Sequence, residues 1–351
     1  MTSPTSSAVG QSSPSPARST GRWQKLFSRN ETLVALIIIA YCALTSWRNP
    51  AFFSLGTLFD LLRGSIVMGM FAMGVLLVLI SGGIDVSFTA IAVFSLYAST
   101  KIVVALNWGD SFIAAFVIAC VIGLGLGLFN ALFIALLKLP TLIVTLGTLS
   151  LFRGFLLTFI GSARITRVPN GMREMWGSRL VSFTTENGFF YALPTAFLFL
   201  VGTVVIVWFL LHRTMLGRQI FALGGSEVAA RRAGIPVTRI KLFIYGFVGL
   251  LSGAAGIIHA SLSRTADPFD LVGLELTVIA AVVLGGARLT GGSGTIIGTL
   301  LGVALIVIIN NSLILLGIPS SWQTFIIGVL ILLGTGIPAY QGRLAQQRVV
   351  S

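Results

Sequence analysis

The sequence predicts an all-α polytopic membrane protein of about ten transmembrane helices, some broken or re-entrant. Hydrophobic residues make up 56% of the chain and charged residues only 9%, and the mean hydropathy is +0.99. A soluble domain of this length needs a charged surface, about a quarter of its residues on average usage. The hydrophobic residues also fall into long runs separated by short polar segments, which is the pattern of a multi-pass membrane chain.

Ten apolar segments are long enough to be considered as bilayer crossings, for which about 20 helical residues suffice. They cover residues 32–47, 61–80, 86–106, 111–137, 141–160, 190–211, 241–262, 274–287, 295–316 and 322–340. Segment 274–287 is short for a full crossing, so a half-helix or part of a re-entrant element is the alternative there.

Charge distribution predicts the orientation and the boundaries of the membrane domain. We interpret residues 1–30, which are rich in Ser and Pro and then basic, as a disordered cytoplasmic tail without a cleavable signal. Residues 31–340 form the transmembrane domain, and 341–351 form a second cytoplasmic tail. With the N-terminus inside, the inward segments hold 14 of the 23 Lys and Arg but only three of the ten acidic residues. The positive-inside rule therefore explains the net charge of +13 without nucleic acid.

Residues 212–241 form the longest basic interruption of the hydrophobic sequence. They read HRTMLGRQIFALGGSEVAARRAGIPVTRIK and contain six Lys or Arg and one acidic residue, Glu227. Gly224-Gly225 and Gly234 bracket a predicted short helix. The basic residues indicate the cytoplasmic side, and the bracketed helix predicts a docking surface for a cytoplasmic partner.

A Gly-Gly pair interrupts the helical pattern in LVLISGGIDVSFTAI, residues 77–91, and Asp85 follows it. An acid at membrane depth costs about 2.5–3.5 kcal/mol, so Asp85 should face a cavity, a partner or a helix end. Two interpretations stay open: a discontinuous helix beside a translocation path, or Asp85 or Ser87 capping the next helix at the membrane surface.

A related pattern returns as VVLGGARLTGGSGTIIG at residues 282–298, as expected for a transporter with a weak internal repeat. The same region begins a GxxxGxxxG run, and two other segments repeat the spacing. The glycines are Gly294, Gly298 and Gly302, Gly123 with Gly127, and Gly249 with Gly253. This spacing favours close helix packing within the chain, with dimerisation through such a face as the alternative.

The connection 161–189 carries four arginines, Pro169 and Trp176. It predicts an ordered cap or a surface for an external partner, since loops of this length are often functional, and a plain linker is the alternative.

Polar residues within or beside the apolar segments are the candidates for a translocation pathway. They are Asp85, Ser87, Asn130, Thr145, Thr148, Asn310, Asn311, Gln323 and Thr324. Neutral amides and hydroxyls suit an uncharged polar solute such as a sugar, whereas a proton relay needs a denser set of carboxylates. For each residue, an interhelical hydrogen bond is the alternative role.

Recognisable catalytic and metal-binding motifs are absent. The sequence has no Gly-Lys-Ser/Thr phosphate loop, no HExxH, no CxxC and no nucleophile elbow. Cys42 and Cys120 lie in apolar runs, and His212 is far from His259, so neither a disulfide nor a metal site is predicted. We expect no catalytic residues and no cofactor; if ATP drives transport, another chain must bind it.

Four blocks resemble the permease subunits of bacterial ABC importers for simple sugars and for autoinducer-2. They are SGGIDVSFTA, LPTLIVTLGTLSLFRGF, GRQIFALGGSEVAARRAGIPVTRIK and ELTVIAAVVLGGARLTGGSGTIIGTLLG, in the family's order and spread over most of residues 50–340. The resemblance implies an inner-membrane protein that works with cytoplasmic ATP-binding cassette subunits, a second permease copy (homodimer or heterodimer) and a periplasmic solute-binding protein.

The resemblance also implies that the basic loop holds the coupling element that docks on the ATPase. The positions that match are Gly217, Arg218, Gly224, Glu227, Ala229, Ala230 and Gly234, and Gly225 is assigned to the same coupling loop. Ser226 departs from the usual Asn, and Phe88-Thr89 from the frequent Val-Gly, which bears on the substrate subgroup. The alternatives are a branched-chain amino-acid ABC permease and, from a different class, an ion-coupled secondary transporter.

Overall fold

The computed structural model describes residues 30–108, 111–184, 188 and 190–319, together with 322, 325, 326, 328, 329 and 332. Both predicted tails, apart from Asn30, and most of the tenth apolar segment, 322–340, lie outside the described residues.

Within the described residues the chain forms twelve helices and one hairpin. They are α1 Asn30–Arg48, α2 Leu55–Ile80, α3 Phe88–Ala105, α4 Phe112–Ala131, α5 Thr141–Phe155, α6 Asn170–Gly177, β1 Arg179–Thr184, β2 Phe190–Pro194, α7 Phe197–Arg213, α8 Met215–Gly225, α9 Glu227–Arg232, α10 Val237–Ser263, α11 Leu274–Leu284 and α12 Ile296–Leu315. A short 3-10 turn, Pro50–Phe53, precedes α2, and single π-helical turns, Leu132–Leu136 and Leu156–Ile160, extend α4 and α5.

Seven of the described helices are long and apolar enough to cross a membrane, and an eighth span results if the pair α7–α8, bent by 77°, is counted as one. Helix α11 has only 11 residues, as the short segment 274–287 predicted. The all-α polytopic class with broken helices is therefore confirmed.

Helices α2, α3 and α10 form the centre of the bundle. In each of them 72% of the most apolar 18-residue window is buried, against 11% for α1 and 22% for α4 with its π turn. The central helices are apolar on all sides because they are surrounded by protein, whereas α1 and α4 turn apolar side chains outward.

The glycine pairs of α4 and α10 interlock. A Cβ atom on Gly123, Gly127 or Gly249 would overlap a backbone carbonyl oxygen of the facing helix. Helices α11 and α12 meet in the same way, since a Cβ on Gly302 would overlap the carbonyl oxygen of Ala281. These glycine faces are therefore occupied by packing within the chain, which is the favoured one of the two predicted roles.

One end of the bundle, here named the hairpin end, carries α6 and the β1–β2 hairpin. Strands β1 and β2 pair antiparallel, and an isolated backbone pair joins Ile165 to Ala266. The predicted span 190–211 is wrong at its start, because Phe190–Pro194 is a strand and α7 begins only at Phe197. In its described part, the connection 161–189 is an ordered cap rather than a linker.

The opposite end, here named the basic end, carries the connection between α7 and α10. The predicted loop 212–241 is too long at both sides: α7 continues to Arg213, and α10 already begins at Val237. Charged residues can extend a spanning helix past its apolar stretch because their long side chains reach water. A continuous apolar run therefore underestimates helix length at a membrane boundary.

Both Gly-Gly pairs end their helices in the same hydrogen-bonded pattern. After α2, the N–H groups of Gly82 and Gly83 donate to the carbonyls of Leu79 and Val78; after α11, those of Gly286 and Ala287 donate to Val283 and Val282. Gly82 and Gly286 have φ angles of 83° and 99°, the left-handed conformation that this Schellman ending requires. Residues 81–87 are named the first break and residues 285–295 the second break.

Candidate functional site

Helices α8 and α9 project from the basic end because two capping residues turn the chain. The Thr214 hydroxyl accepts from the Gly217 N–H at 3.2 Å and starts α8 at the 77° bend. A Cβ on Gly217 would meet the backbone of Leu211, so glycine permits the sharp turn. The Ser226 hydroxyl accepts from the Ala229 N–H at 3.3 Å and starts α9.

Glu227 ties α9 to the main bundle. Its two carboxylate oxygens each accept a 2.8 Å hydrogen bond, one from Lys241 at the start of α10 and one from Arg231. These bonds, that from Lys241 first, hold the pKa of Glu227 below its ordinary value. Ala230 is buried on the inner side of α9, and Gly234, at a φ of 77°, turns the chain towards α10. Helix α9 is therefore held in a defined orientation.

The outer side of α9 is open. Val228 is 62% exposed, and a 650 Å³ groove is lined by Lys138, Glu227, Val228, Arg231 and Arg232. Arg218 on α8 is also accessible and lies with its guanidinium nitrogen 2.6 Å from the Met215 sulfur. An exposed apolar side chain surrounded by arginines is suited to bind a surface with an apolar centre and acidic rim.

The C-terminal end of α8 lies against both breaks. A Cβ on Gly224 would overlap the carbonyl oxygen of Ile80 and lie 2.5 Å from the Gly292 nitrogen. The Gly292 N–H donates to the Ile80 carbonyl at 2.9 Å. A Cβ on Gly291 would lie 2.7 Å from both the Gly82 Cα and the Gly224 carbonyl oxygen. Three chain segments thus meet through backbone atoms at this glycine junction, formed by Gly82, Gly224, Gly291 and Gly292.

The first break contains a buried polar network centred on Asp85, which is 2% exposed. Asp85 Oδ1 accepts from both the backbone N–H and the hydroxyl of Ser87 at 2.7 Å, and the Ser87 hydroxyl accepts from the Asn130 amide at 2.7 Å. Asp85 therefore stabilises the start of α3, but it does so inside the chain and not at its surface. The network joins three predicted pathway residues: Asp85, Ser87 and Asn130.

Two threonines of α5 bond to the backbone of Ile84 in the first break. The Thr141 hydroxyl accepts from the Ile84 N–H at 3.0 Å, and the Thr145 hydroxyl donates to the Ile84 carbonyl at 3.3 Å. Because both backbone groups of Ile84 are bonded to α5 side chains, this irregular segment between two helices leaves neither group unpaired. Thr145 thus has the interhelical bond that was the alternative to a pathway role.

Two further buried polar atoms lie beside this network. Within the described residues Asn130 Oδ1 has no hydrogen-bond partner, and the Tyr245 hydroxyl would lie 2.6 Å from a Cβ on Gly83. Buried polar groups normally have hydrogen-bond partners, so the open acceptor of Asn130 adds to the polar character of this part of the bundle.

The remaining predicted pathway residues do not join this network. The Thr148 hydroxyl bonds to the Thr145 carbonyl within its own helix, at 3.4 Å. Asn310 and Asn311 lie half-buried on α12, and Asn310 Oδ1 has no hydrogen-bond partner in the part of the chain that the structure describes. Gln323 and Thr324 lie outside the described residues.

Sequence reasoning missed an ion pair between α5 and α11. Arg153 Nη2 lies 3.6 Å from Glu275 Oε1, with the two side chains 22% and 13% exposed. Glu275 Oε2 also accepts from the Thr89 hydroxyl on α3 and from the Gly273 N–H, both at 3.1 Å. Both charged residues stand in the family-like blocks, LFRGF and ELTVIAA, but no spacing rule connects residues that lie so far apart in the chain.

The hairpin end carries a second charged surface. The Arg264 guanidinium lies 4.0 Å from the centre of the Trp176 ring, and Arg164 pairs with Asp267 at 3.6 Å. A 380 Å³ cleft lies between the outer turns of α2 and the hairpin, with Asp60, Arg63, Arg179 and Tyr191 among its lining residues. Within the described residues, no group of three His, Cys, Asp or Glu side chains could hold a metal ion at either end.

Comparison with known proteins gives consistent matches over most of the chain. The sequence model of the family described as the permease component of branched-chain amino acid transport systems matches residues 57–334. The ribose import permease protein RbsC of Bacillus subtilis (strain 168) is 39% identical over 285 residues, 81% of this chain and 85% of that protein. RbsC of Escherichia coli (strain K12) is 35% identical over 305 residues, covering 86% and 91%.

The autoinducer 2 import system permease protein LsrC of Enterobacter sp. (strain 638) is also similar. It is 34% identical over 321 residues, which cover 92% of this chain and 89% of that protein. No solved structure matches the chain.

Proposed function

The chain belongs to the family of transport-system permease components, and on that premise we propose that it imports a ribose-like sugar or a related small polyhydroxylated solute. The observation that carries this proposal is the 39% identity to a ribose import permease over 81% of the chain. The family description mentions branched-chain amino acids, but the relatives named above import ribose and autoinducer-2.

ATP hydrolysis by separate cassette subunits drives the import, and no ATP site is required in this chain. The docking surface is the open side of α9, with Val228 at its centre and Arg231 and Arg232 beside it. An ATPase groove with apolar walls and acidic edges would complement this surface. The basic end is then cytoplasmic, in accordance with the positive-inside rule.

The solute arrives from the other side. The hairpin end lies on the periplasmic side of a bacterial inner membrane, and its arginines and aromatic rings bind a solute-binding protein. A second permease copy completes the membrane unit, with the solute passing beside the polar first break. Neutral hydroxyl and amide groups such as Ser87 and Asn130 suit a solute that carries hydroxyls and no net charge.

Uptake by proteoliposomes tests this proposal. The chain is reconstituted with its cognate ATPase and binding protein, and labelled ribose, autoinducer-2 and leucine are supplied outside in separate runs. We expect ATP-dependent uptake of a sugar or of autoinducer-2 and none of leucine. Leucine uptake would replace the sugar assignment, and uptake driven by an ion gradient without ATP would exclude the ATPase-driven mechanism.

A control variant separates docking from folding. Val228→Asp places a charge at the centre of the proposed docking surface, whereas Val272→Asp makes the same change at an exposed position of the hairpin end. Co-purification of the ATPase should be lost with the first variant and retained with the second. Equal retention in both would show that α9 is not the docking surface.

A further inference from the structure

Residues of the glycine junction come from three separate parts of the chain. Gly82 follows α2, Gly224 ends α8, and Gly291 and Gly292 lie in the second break. Any side chain on Gly224 would collide with backbone atoms, namely the Ile80 carbonyl oxygen and the Gly292 nitrogen. Backbone atoms cannot rotate aside as a flexible side chain can, so the contact is stiff.

Both helix breaks are bonded to each other at this point. The Gly292 N–H of the second break donates to the Ile80 carbonyl at the end of α2, at 2.9 Å. A displacement of α8 would therefore push on the first and the second break together. Neither break could move with α8 alone without losing the hydrogen bond between Gly292 and Ile80.

The neighbouring residue shows that close packing is a property of this junction and not of the whole turn. Gly225 follows Gly224 directly, yet a Cβ on Gly225 would have no atom of the described residues within 4 Å. Gly234, at the far end of α9, likewise has no described atom near its Cβ position. Contact with the bundle is thus concentrated on one side of the α8 terminus.

We propose that Gly224 is the positioning residue through which a movement of the docking element α8–α9 is passed to both helix breaks at once. The first break continues into the Asp85 network and α3, and the second break leads into α12. One displacement at the basic end consequently reaches the N-terminal ends of two membrane helices. This inference rests on the proposed function, because it requires that a partner moves α8–α9.

Alanine substitutions at two glycines, one inside the junction and one outside it, test the inference. In proteoliposomes with ATPase and binding protein, Gly224→Ala should lower solute uptake and the stimulation of ATP hydrolysis by binding protein about tenfold, because the added methyl forces the backbones apart. Gly202→Ala in α7, outside the docking element, should keep both within about twofold, since a Cβ there meets no atom of the described residues within 4 Å. Equal activity of the two variants would overturn the inference.

Assembly is measured alongside activity. The ATPase should co-purify with Gly224→Ala as it does with the unsubstituted chain, which separates uncoupling from lost docking. If the Val228→Asp variant keeps the ATPase, the docking surface itself is wrong and the inference falls with the proposed function. If Val228→Asp loses the ATPase while Gly224→Ala transports normally, the proposed function stands and only the junction is refuted.

Hydrogen exchange of the unsubstituted complex provides a test that does not depend on the folding of a variant. Peptides covering 79–84, 222–226 and 289–293 are compared with and without a non-hydrolysable ATP analogue. Exchange in the three peptides should change together. A change confined to 222–226 would show that movement of α8 does not reach the breaks.

Discussion

The first and second breaks begin alike and continue differently. Each starts with a Schellman ending around a left-handed glycine, Gly82 or Gly286. The first break then enters a buried network with a carboxylate, Asp85. The second break instead forms a backbone turn, in which the Arg288 N–H donates to the Ser293 carbonyl, and Leu289, the residue that corresponds to Asp85, is 44% exposed. The same helix ending is thus followed by a buried polar network at the first break and by an exposed backbone turn at the second.

The two breaks are also held in place by different kinds of contact. Polar groups of the first break are held by hydrogen bonds to α4 and α5, so they keep a fixed geometry beside the centre of the bundle. The second break is held mainly by backbone contacts and by the close approach of α11 to α12. Substitutions at corresponding positions should therefore have unequal effects.

The largest effect is expected for Asp85→Ala. The change removes two hydrogen bonds to a buried carboxylate, each worth about 1.5–3 kcal/mol, and leaves the Ser87 N–H without this acceptor. We expect a loss of about 3–5 kcal/mol in the free energy of unfolding. Leu289→Ala, at the matching position of the second break, should change it by less than about 0.5 kcal/mol. Reversible unfolding in detergent measures both, and similar losses would contradict the distinction between the breaks.

A smaller loss is expected where glycine contacts support the second break. In Gly302→Ala the new methyl would overlap the Ala281 carbonyl oxygen, and overpacking of this kind costs about 1–3 kcal/mol. Gly202→Ala in α7 is the matched control, because a Cβ there has no described atom within 4 Å and alanine favours a helix over glycine by about 1 kcal/mol. Thermal unfolding should separate the two variants in opposite directions. A tolerated Gly302→Ala would mean that α11 and α12 can move apart freely.

An effect of intermediate size is expected for the ion pair between Arg153 and Glu275, at the end of α11 that lies away from the second break. Either single charge reversal should lower stability by about 1–2 kcal/mol, below the 3–5 typical of fully buried pairs, because both side chains are partly exposed. The double reversal, Arg153→Glu with Glu275→Arg, should recover part of this loss in a double-mutant cycle. Strictly additive losses would indicate that the two charges do not interact.

Glu227 should give the smallest effect, on α9, which follows the α8 terminus that touches both breaks. Its pKa is lowered in the folded chain, so its stabilising contribution is present above the unfolded pKa and is lost as the pH falls through the folded pKa. The carboxylate is 42% exposed, so the contribution should stay below about 1 kcal/mol. Hydrogen exchange of α9 measured above and below these pKa values should show the loss, and Glu227→Gln should abolish this pH dependence.

The sequence predicted those features that depend on local chemistry. Gly-Gly pairs identified both breaks, the brackets of Gly224-Gly225 and Gly234 lie at the ends of the short helix α9, and hydropathy located the spanning helices. Helix ends were less accurate: residues 190–194 were assigned to a span because apolar strand residues and apolar helix residues have the same composition.

Contacts between distant segments could not be predicted in the same way. Neither the approach of Gly224 to Ile80 nor the pairing of Arg153 with Glu275 leaves a periodic signal in one sequence. The β1–β2 hairpin did leave a local signal, since Gly188 and the three aromatic residues that follow it, Phe189-Phe190-Tyr191, are typical of a turn followed by a strand.

Distance measurements during the ATP cycle test the central claim, that α8–α9 and the breaks move as one unit. In a chain with Cys42 and Cys120 replaced, spin labels are placed at Val228→Cys and Thr290→Cys, and in a second sample at Val228→Cys and Ser182→Cys on the hairpin end. All three labelled positions are exposed. Pulsed dipolar spectroscopy of the complex, with and without ATP, should show a constant distance for the first pair and a changed distance for the second. A first pair that changes with ATP while the second stays constant would contradict the account.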